Sequence, residues 1–393
     1  MNEIGTQHYD GEEKSMHKVI FYPVGNGDTS QIILENGKRI LFDFRHQKNS
    51  EEEGSRDFNL KKHLKDELGK EKRDYFDVVA FTHSDKDHIC NSTEFFELLY
   101  ASKYQGNGRI KIKELWVPAA MILETAANGE QSEEFVIWRQ EARHRLKEGK
   151  GIRVFSKPGK LKQWLEDNQL SLDTRRSLIT DAGQLVPNFD LGIDQVEFFC
   201  HSPFIKHVDG NDDILRNEAA LIFQVRFEVG GTRFDYLAVG DSKHDVLEDI
   251  VDITNYHNKK DRLDWNLFNI AHHCSYLALG PDKGDKETTP VKNVKELLLH
   301  GQEDAYIVSS CNPIGSDKNA YGQQQPPHVQ AKNTYVSYLK KVNGRRFLIT
   351  MEEPSEARPQ PIVFEISKDG GKLALAKNVG ITSIITSPAK RAG

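Results

Sequence analysis

Two imidazoles and two carboxylates crowd into six consecutive positions of this 393-residue chain, His83-Ser84-Asp85-Lys86-Asp87-His88, directly behind the apolar run 77–81 (DVVAF). Imidazole and carboxylate are the ligands that suit zinc, manganese or iron. The run before them reads as a fully buried strand, and the turn that follows such a strand can aim alternating side chains into one cleft. Open α/β sheets place their sites at this carboxyl end of the strands. A lone His-Asp pair would mean little, but four potential ligands at one strand end exceed what a polar surface loop requires. Lys86, inside the cluster, either draws an anionic substrate toward the cleft or simply faces solvent.

The elements that must position this cluster follow from the apolar patterning. Short β-rich runs at 19–24, 30–34 and 39–44, separated by Gly25, Gly27, Asn36 and Gly37, predict an opening three-stranded meander. A helix near 59–68 leads to the buried strand before His83. Further along, the pattern predicts helix at 92–100, strand at 113–117, helix at 133–146 and strand at 151–155, with the less regular stretch 157–188 as a cap or insertion. A second strand-rich set comprises DQVEFFC from Asp194, AALIFQVRFEV and FDYLAV, the last closing on Gly240-Asp241. Helices at 243–254, 291–299 and 329–341 then alternate with strands at 267–271, 305–309 and 346–350, and a closing strand spans 361–366. Two halves of similar β-then-α content imply an α/β protein with two sheets packed face to face and helices outside, a four-layer αββα sandwich. The expected domain covers 18–370, between a mobile N-terminal tail at 1–17 and a C-terminal tail at 371–393.

Composition narrows the classes. Hydrophobic residues at 37% and charged residues at 28% describe an ordinary globular protein, and a net charge of −6 argues against a surface built throughout to embrace polyanions. The basic stretch 139–162 reads as a solvated helix face or, alternatively, an electrostatic funnel for phosphates. Cys90, Cys200, Cys274 and Cys311 form no CxxC pair, so neither a disulfide framework nor a zinc knuckle is indicated. The N-terminus lacks the basic start and apolar stretch of a signal peptide, and no apolar run approaches membrane-spanning length. A cytoplasmic protein with no membrane association is expected. His8, His17, His46 and His63 lie in polar surroundings and are expected to be solvated, whereas Trp116, Trp138, Trp164 and Trp265 are expected to pack in the interior.

The cluster resembles the HxHxDH signature of the metallo-β-lactamase superfamily, with Asp85 where the second histidine usually stands. That variant is characteristic of the nuclease-like domain of the competence protein ComEC and its soluble relatives. Other stretches agree in order: Val24-Gly25-Asn26-Gly27-Asp28 with the VGxGD turn, Leu115-Trp116-Val117-Pro118 with the central strand, and Val239-Gly240-Asp241 with the fourth motif. Ala271-His272-His273-Cys274-Ser275 is similar to HHGS, and Asn319-Ala320-Tyr321-Gly322 to the late NxYG. The resemblance covers residues 19–366.

It implies two divalent metal ions, zinc or manganese, with His83, Asp85 and His201 holding one, Asp87, His88 and His272 the other, and Asp241 bridging. By itself, His201 beside Cys200 is equally an ordinary strand-end residue. Asp87, Asp241 and His273 would take part directly in the chemistry, Lys86, Ser275, Asn319 and His328 would contact substrate, and Asp28, His273 and Cys274 would support the ligands from behind. A water shared by the two ions would become a hydroxide nucleophile. The implied activity is hydrolysis of phosphodiesters in DNA, RNA or nucleotides, and stand-alone relatives of this kind, sometimes found in bacterial defence loci, imply a regulatory protein partner. Hydrolysis of a small ester, lactone or phosphocholine-type head group is the alternative, and an inactive binding protein of the same fold the third. Three departures stand out: Cys274 replaces a glycine beside His272 and is either a metal contact or a small buried side chain, the late YGHPH is drawn out to 321–328 so that His328 is displaced, and Asn26 replaces a glutamine.

Overall fold

The computed structural model describes residues 16–124, 132–206 and 218–374. His8 and most of the two expected tails lie outside them. The chain opens with the meander β1 (His17–Phe21), β2 (Ser30–Ile33) and β3 (Arg39–Phe42), paired antiparallel. Helix α1 (Leu60–Lys70), capped by Asn59, then crosses to β4 (Tyr75–Ala80), which lies parallel to β3. A single turn, α2 (Lys86–Ile89), precedes β5 (Lys111–Pro118), and α3 (Ala119–Leu123) and α4 (Glu133–Glu148) lead to β6 (Ile152–Phe155). Ser132 caps α4 by accepting from the Phe135 amide, and Gly149 ends it in the left-handed conformation at φ 74° that glycine adopts without steric cost. The stretch 157–188 supplies α5 (Gly159–Asp167), α6 (Leu172–Arg175) and the edge strand β7 (Ile179–Thr180).

The second sheet begins with antiparallel β8 (Val196–Ser202), β9 (Ile222–Val229) and β10 (Thr232–Ala238). Three parallel strands extend it through intervening helices: α7 (His244–Tyr256) to β11 (Trp265–Asn269), α8 (Lys292–Leu299) to β12 (Gly301–Ser309), and α9 (Lys318–Gly322) with α10 (Val329–Lys341) to β13 (Arg346–Ile349). The chain then returns to the first sheet, where β14 (Ile362–Ser367) pairs with β1 and β15 (Gly370–Leu373) closes the edge. The strand orders are β15-β14-β1-β2-β3-β4-β5-β6-β7 and β13-β12-β11-β10-β9-β8.

Three apolar clusters fill the spaces between four layers. One joins α1, α4 and α5 to the first sheet, one lies between the sheets, and one joins α7, α8 and α10 to the second sheet. This is the expected αββα sandwich. Trp116 occupies the middle layer with its ring against Phe155, Phe189, Phe198 and Phe223. Trp138 and Trp265 are fully buried in the outer layers, and Trp164 packs partly buried against the first.

Four expectations fail for identifiable reasons. Residues 92–100 form a 3-10 turn at Ser92–Glu94 followed by extended chain bridged to Ile110, because Glu141 accepts from the amides of Leu99 and Tyr100 and Arg109 donates to the Phe96 carbonyl. Buried side chains thus satisfy the backbone that a helix would have satisfied. The basic stretch is neither funnel nor simple solvated face: Arg145 is buried on Glu141 and on the Ile112 and Gly151 carbonyls, and Arg153 is buried against Glu114 and Thr180. His17 and His46 are buried rather than solvated, bonded to Gln195 and Glu51, and His63 packs its ring against Tyr22. His17 also begins β1 rather than ending a tail.

Register brings the chemistry together. Phe21 faces Ser30, Ser30 faces Phe42 and Phe42 faces Ala80, so the turn carrying Asp28, the residue Asp43 and the segment from Thr82 leave one edge of the first sheet side by side. In the second sheet Ala238 faces Asn269 and Asn269 faces Val308, which sets Asp241, His272-His273 and Ser310 on the corresponding edge. The Leu221 amide donates to the Thr82 carbonyl at 2.8 Å and joins the two sheets there. Among the described residues, no helix is long and apolar enough to cross a membrane.

Candidate metal centre

Three histidines turn the same nitrogen toward one space. His88 Nδ1 donates to the Asp43 carboxylate (2.8 Å), which can only accept, so Nε2 is left facing the Asp241 and Asp28 carboxylates at 3.4 and 4.0 Å. His273 Nδ1 donates to the Ser310 carbonyl (2.8 Å), leaving Nε2 at 3.1 Å from Asp87 and 3.4 Å from Asp241. His83 Nδ1 lies 3.1 Å from the Thr82 hydroxyl, and its Nε2 stands 3.7 Å from Asp85 and 3.9 Å from Asp241. The Thr82 hydroxyl donates onward to Asp43, whose other oxygen accepts from the Thr82 amide. Engaging Nδ1 to fix the ring and free Nε2 is the usual arrangement behind a metal-bound imidazole.

Two ligand sets result. Asp28, His88, Asp241 and His273 offer atoms that all lie within 4.8 Å of one another, as do His83, Asp87 and His88. His83 Nε2, His88 Nε2 and Asp241 Oδ1 are buried without hydrogen-bond partners, as is His272 Nδ1. Buried polar atoms are nearly always satisfied. Orphaned nitrogens and a carboxylate oxygen converging on one space fit divalent cations as the missing partners.

The electrostatics of the protein alone say the same. Burial opposes charge on His88, yet Asp241 and Asp43 overcome it and raise its pKa well above the ordinary value. His273 behaves alike, with burial outweighed by Asp241 and Asp87. Burial would raise Asp241, but His273 and His88 hold it well below the usual carboxylate range, and Asp87 is depressed against its burial by the same two rings. Asp28 is raised by burial, only partly offset by His273 and His88. His83 and His272 are lowered, chiefly by burial. The carboxylates therefore demand positive charge, which a divalent cation would supply.

The backbone works to deliver His273. His272, His273 and Cys274 have φ of 52°, 52° and 64°, a left-handed turn that costs L-residues roughly 1–2 kcal/mol each. It is held by the His272 amide on the Gly240 carbonyl (3.1 Å), the Ser275 amide on the His272 carbonyl (2.9 Å) and the His328 amide on the Cys274 carbonyl (3.0 Å). Backbone strain of this kind, held in place by its surroundings, concentrates at functional sites. The turn carries His273 into the ligand cluster, while His272 stands at its margin with rings 6.1 Å apart. The family resemblance implies the opposite order.

The remaining site residues divide. Asp28 stands among the ligands rather than behind them. His201 does not join the cluster: its Nε2 bonds the Arg262 carbonyl at 2.9 Å, and it lines a separate cavity of about 170 Å³ with Phe199, Phe204 and Lys259. Cys274 is fully buried in the outer core, its thiol directed to the His328 carbonyl (3.9 Å). Ser275 caps the next turn by accepting from Leu277, and His328, buried, lies against Tyr276 and the Gln324 carbonyl (3.2 Å). Lys86 and Asn319 are exposed. Asp43 was not singled out by sequence. An aspartate closing the strand ILF carries the same signal that Asp241 carries after FDYLAVG, and that signal could have found it.

No family profile matches the chain, and no curated protein matches it in sequence. Among solved structures it is similar to a long form RNase Z from yeast, at 10% identity and TM-score 0.39, over 92% of this chain and 43% of that one. The chain thus spans less than half the length of that protein. It is also similar to a diphosphatase from the PhnP family (10%, TM-score 0.28, 79% and 94%) and to the Zn(2+)-bound PqqB of Methylobacterium extorquens (10%, TM-score 0.27, 84% and 96%). Likenesses of this size carry no argument alone. The architecture rests on the sheet order and the three apolar layers, and the site on its own geometry.

Proposed function

We propose that this chain is a metal-dependent hydrolase of the metallo-β-lactamase type that cleaves phosphodiesters in nucleic acids or nucleotides. The observation that carries the reading is the convergence of His83, His88 and His273 Nε2 with the carboxylates of Asp28, Asp87 and Asp241 at one seam between the sheets. Asp28, His88, Asp241 and His273 would hold one cation. The single free nitrogen of His88 serves only one ion, so a second would draw on His83 and Asp87, with Asp85 and Asp241 as the neighbouring carboxylates. Divalent cations so held activate water and neutralise the charge that builds on a phosphodiester under attack. The chain's own part is to fix the donors: Asp43 sets the His88 ring, the Ser310 carbonyl sets His273, and Thr82 links His83 to Asp43. A donor set this rich in carboxylate admits manganese as readily as zinc.

The test is elemental analysis and thermal melting of wild type and Asp241→Ala with zinc or manganese, alongside cleavage of single-stranded oligonucleotides and bis-p-nitrophenyl phosphate. Wild type should bind about two ions, melt at higher temperature when loaded and cleave one or both substrates, and the variant should lose all three properties. A wild type that takes up neither metal, or is loaded yet inert toward every phosphodiester, would overturn the reading.

A further inference from the structure

Arg45 lies beside the metal centre with no carboxylate in contact with its guanidinium among the described residues. Its guanidinium donates to the Val24 carbonyl, and among the described residues no carboxylate oxygen lies within 4.0 Å of it. Two glycines are kept bare to admit it. A Cβ on Gly25 would stand 2.8 Å from Arg45 Nη1, and one on Gly27 would overlap Arg45 Cδ and come within 2.6 Å of the Asp87 carbonyl. The side chain is thus threaded between the turn that presents Asp28 and the turn that presents Asp87. Desolvation lowers its pKa, with Asp87 and Cys90 offsetting only part of the cost. A cation half removed from water with no carboxylate in contact is costly unless an anion joins it.

The charge balance at the centre points the same way. The carboxylates of Asp28, Asp43, Asp87 and Asp241 alone match the charge that two divalent cations would bring, so a loaded centre leaves no surplus positive charge for a phosphate. A guanidinium supplies the balance and, unlike an ammonium, presents paired N–H donors that match two phosphate oxygens. Lys86 is exposed and adds a diffuse field rather than a fixed contact.

We propose that Arg45 is a substrate-binding residue that grips a non-bridging phosphate oxygen of the substrate at the lip of the metal centre, making the site selective for anionic phosphoesters over neutral esters. This rests on the hydrolase reading for the metal centre, and it deepens that reading by assigning the substrate's charge to a named side chain.

The decisive measurement is inorganic phosphate binding to metal-loaded protein by calorimetry, for wild type, Arg45→Met, Arg45→Lys and Gln47→Ala. Gln47 donates to the same Val24 carbonyl at 3.0 Å and controls for loss of support to that turn. Arg45→Met should weaken phosphate binding at least tenfold, the scale of one charge-assisted hydrogen bond, with metal content and melting temperature retained. Arg45→Lys should be intermediate, and Gln47→Ala should match wild type. Where bis-p-nitrophenyl phosphate is cleaved, Arg45→Met should raise KM about tenfold with kcat changed less than about threefold. Wild type that binds no phosphate, Arg45→Met that binds it as tightly as wild type, or metal loss in both Arg45 variants, would each overturn the proposal. Phosphate binding that falls in Arg45→Met while wild type cleaves no phosphodiester leaves this assignment standing and sinks the reaction reading instead.

Discussion

Asp43 and His201 show how far residue type alone goes in locating a metal site. Asp43 holds His88 through Nδ1 and takes both donors of Thr82, so it governs the aim of a ligand without being one. Asp43→Asn is expected to weaken metal binding 10- to 100-fold, read by competition against a chromogenic chelator. His201 presents the reverse case, a histidine at a strand end that lies away from the cluster, and His201→Asn should leave metal content unchanged. Burial holds its pKa down at about 4. A base depressed in the folded state resists protonation there, so its contribution to stability is intact above its unfolded value of about 6.5 and is lost as pH falls from there toward 4. The loss is on the order of 3 kcal/mol, and urea titrations between pH 7 and 4 should show a flatter acid limb in the variant. The cluster 83–88 was legible because four ligands share one turn. Asp43 and the placement of His201 were not, since each depends on which strands become neighbours.

At the scale of elements, the turn after β11 decides which histidine enters the candidate metal cluster. Residues 272–274 read as a motif, but their order of function follows from three successive left-handed residues, and neither His nor Cys advertises that conformation as glycine would. Cys274 occupies one such position with φ 64° while its thiol packs in the outer core. Cys274→Gly should therefore relax the backbone and lose a small buried side chain, leaving stability within about 1 kcal/mol of wild type. Metal content should not change, and a measured drop would place the thiol among the ligands after all. The failed helix at 92–100 teaches a related lesson. Its composition is helical, but Glu141 and Arg109 reach in from distant elements to take its backbone groups, and local propensity yields to them.

For the whole molecule, alternation of apolar runs was enough to imply two sheets with helices outside, because each layer writes its own period into the chain. What the pattern could not give was the assignment of the last strands. A reading in two successive halves leaves them all in the second sheet, whereas β13 stays there and β14 crosses back to lie against β1. Hydrogen-bond partners between strands some 340 positions apart leave no trace in local sequence. A chain ending at residue 360 should leave β1 as a bare edge rich in Val19, Ile20 and Phe21, and light scattering on that truncation is expected to report aggregation.

The return of β14 to β1 also orders events during synthesis. One side of β1 has no partner until residues 362–366 have been made, so the first sheet closes well after its opening strands have formed. Metal uptake at the proposed centre is expected to follow that closure, and the chain cut at residue 360 should bind zinc or manganese more weakly than the whole chain.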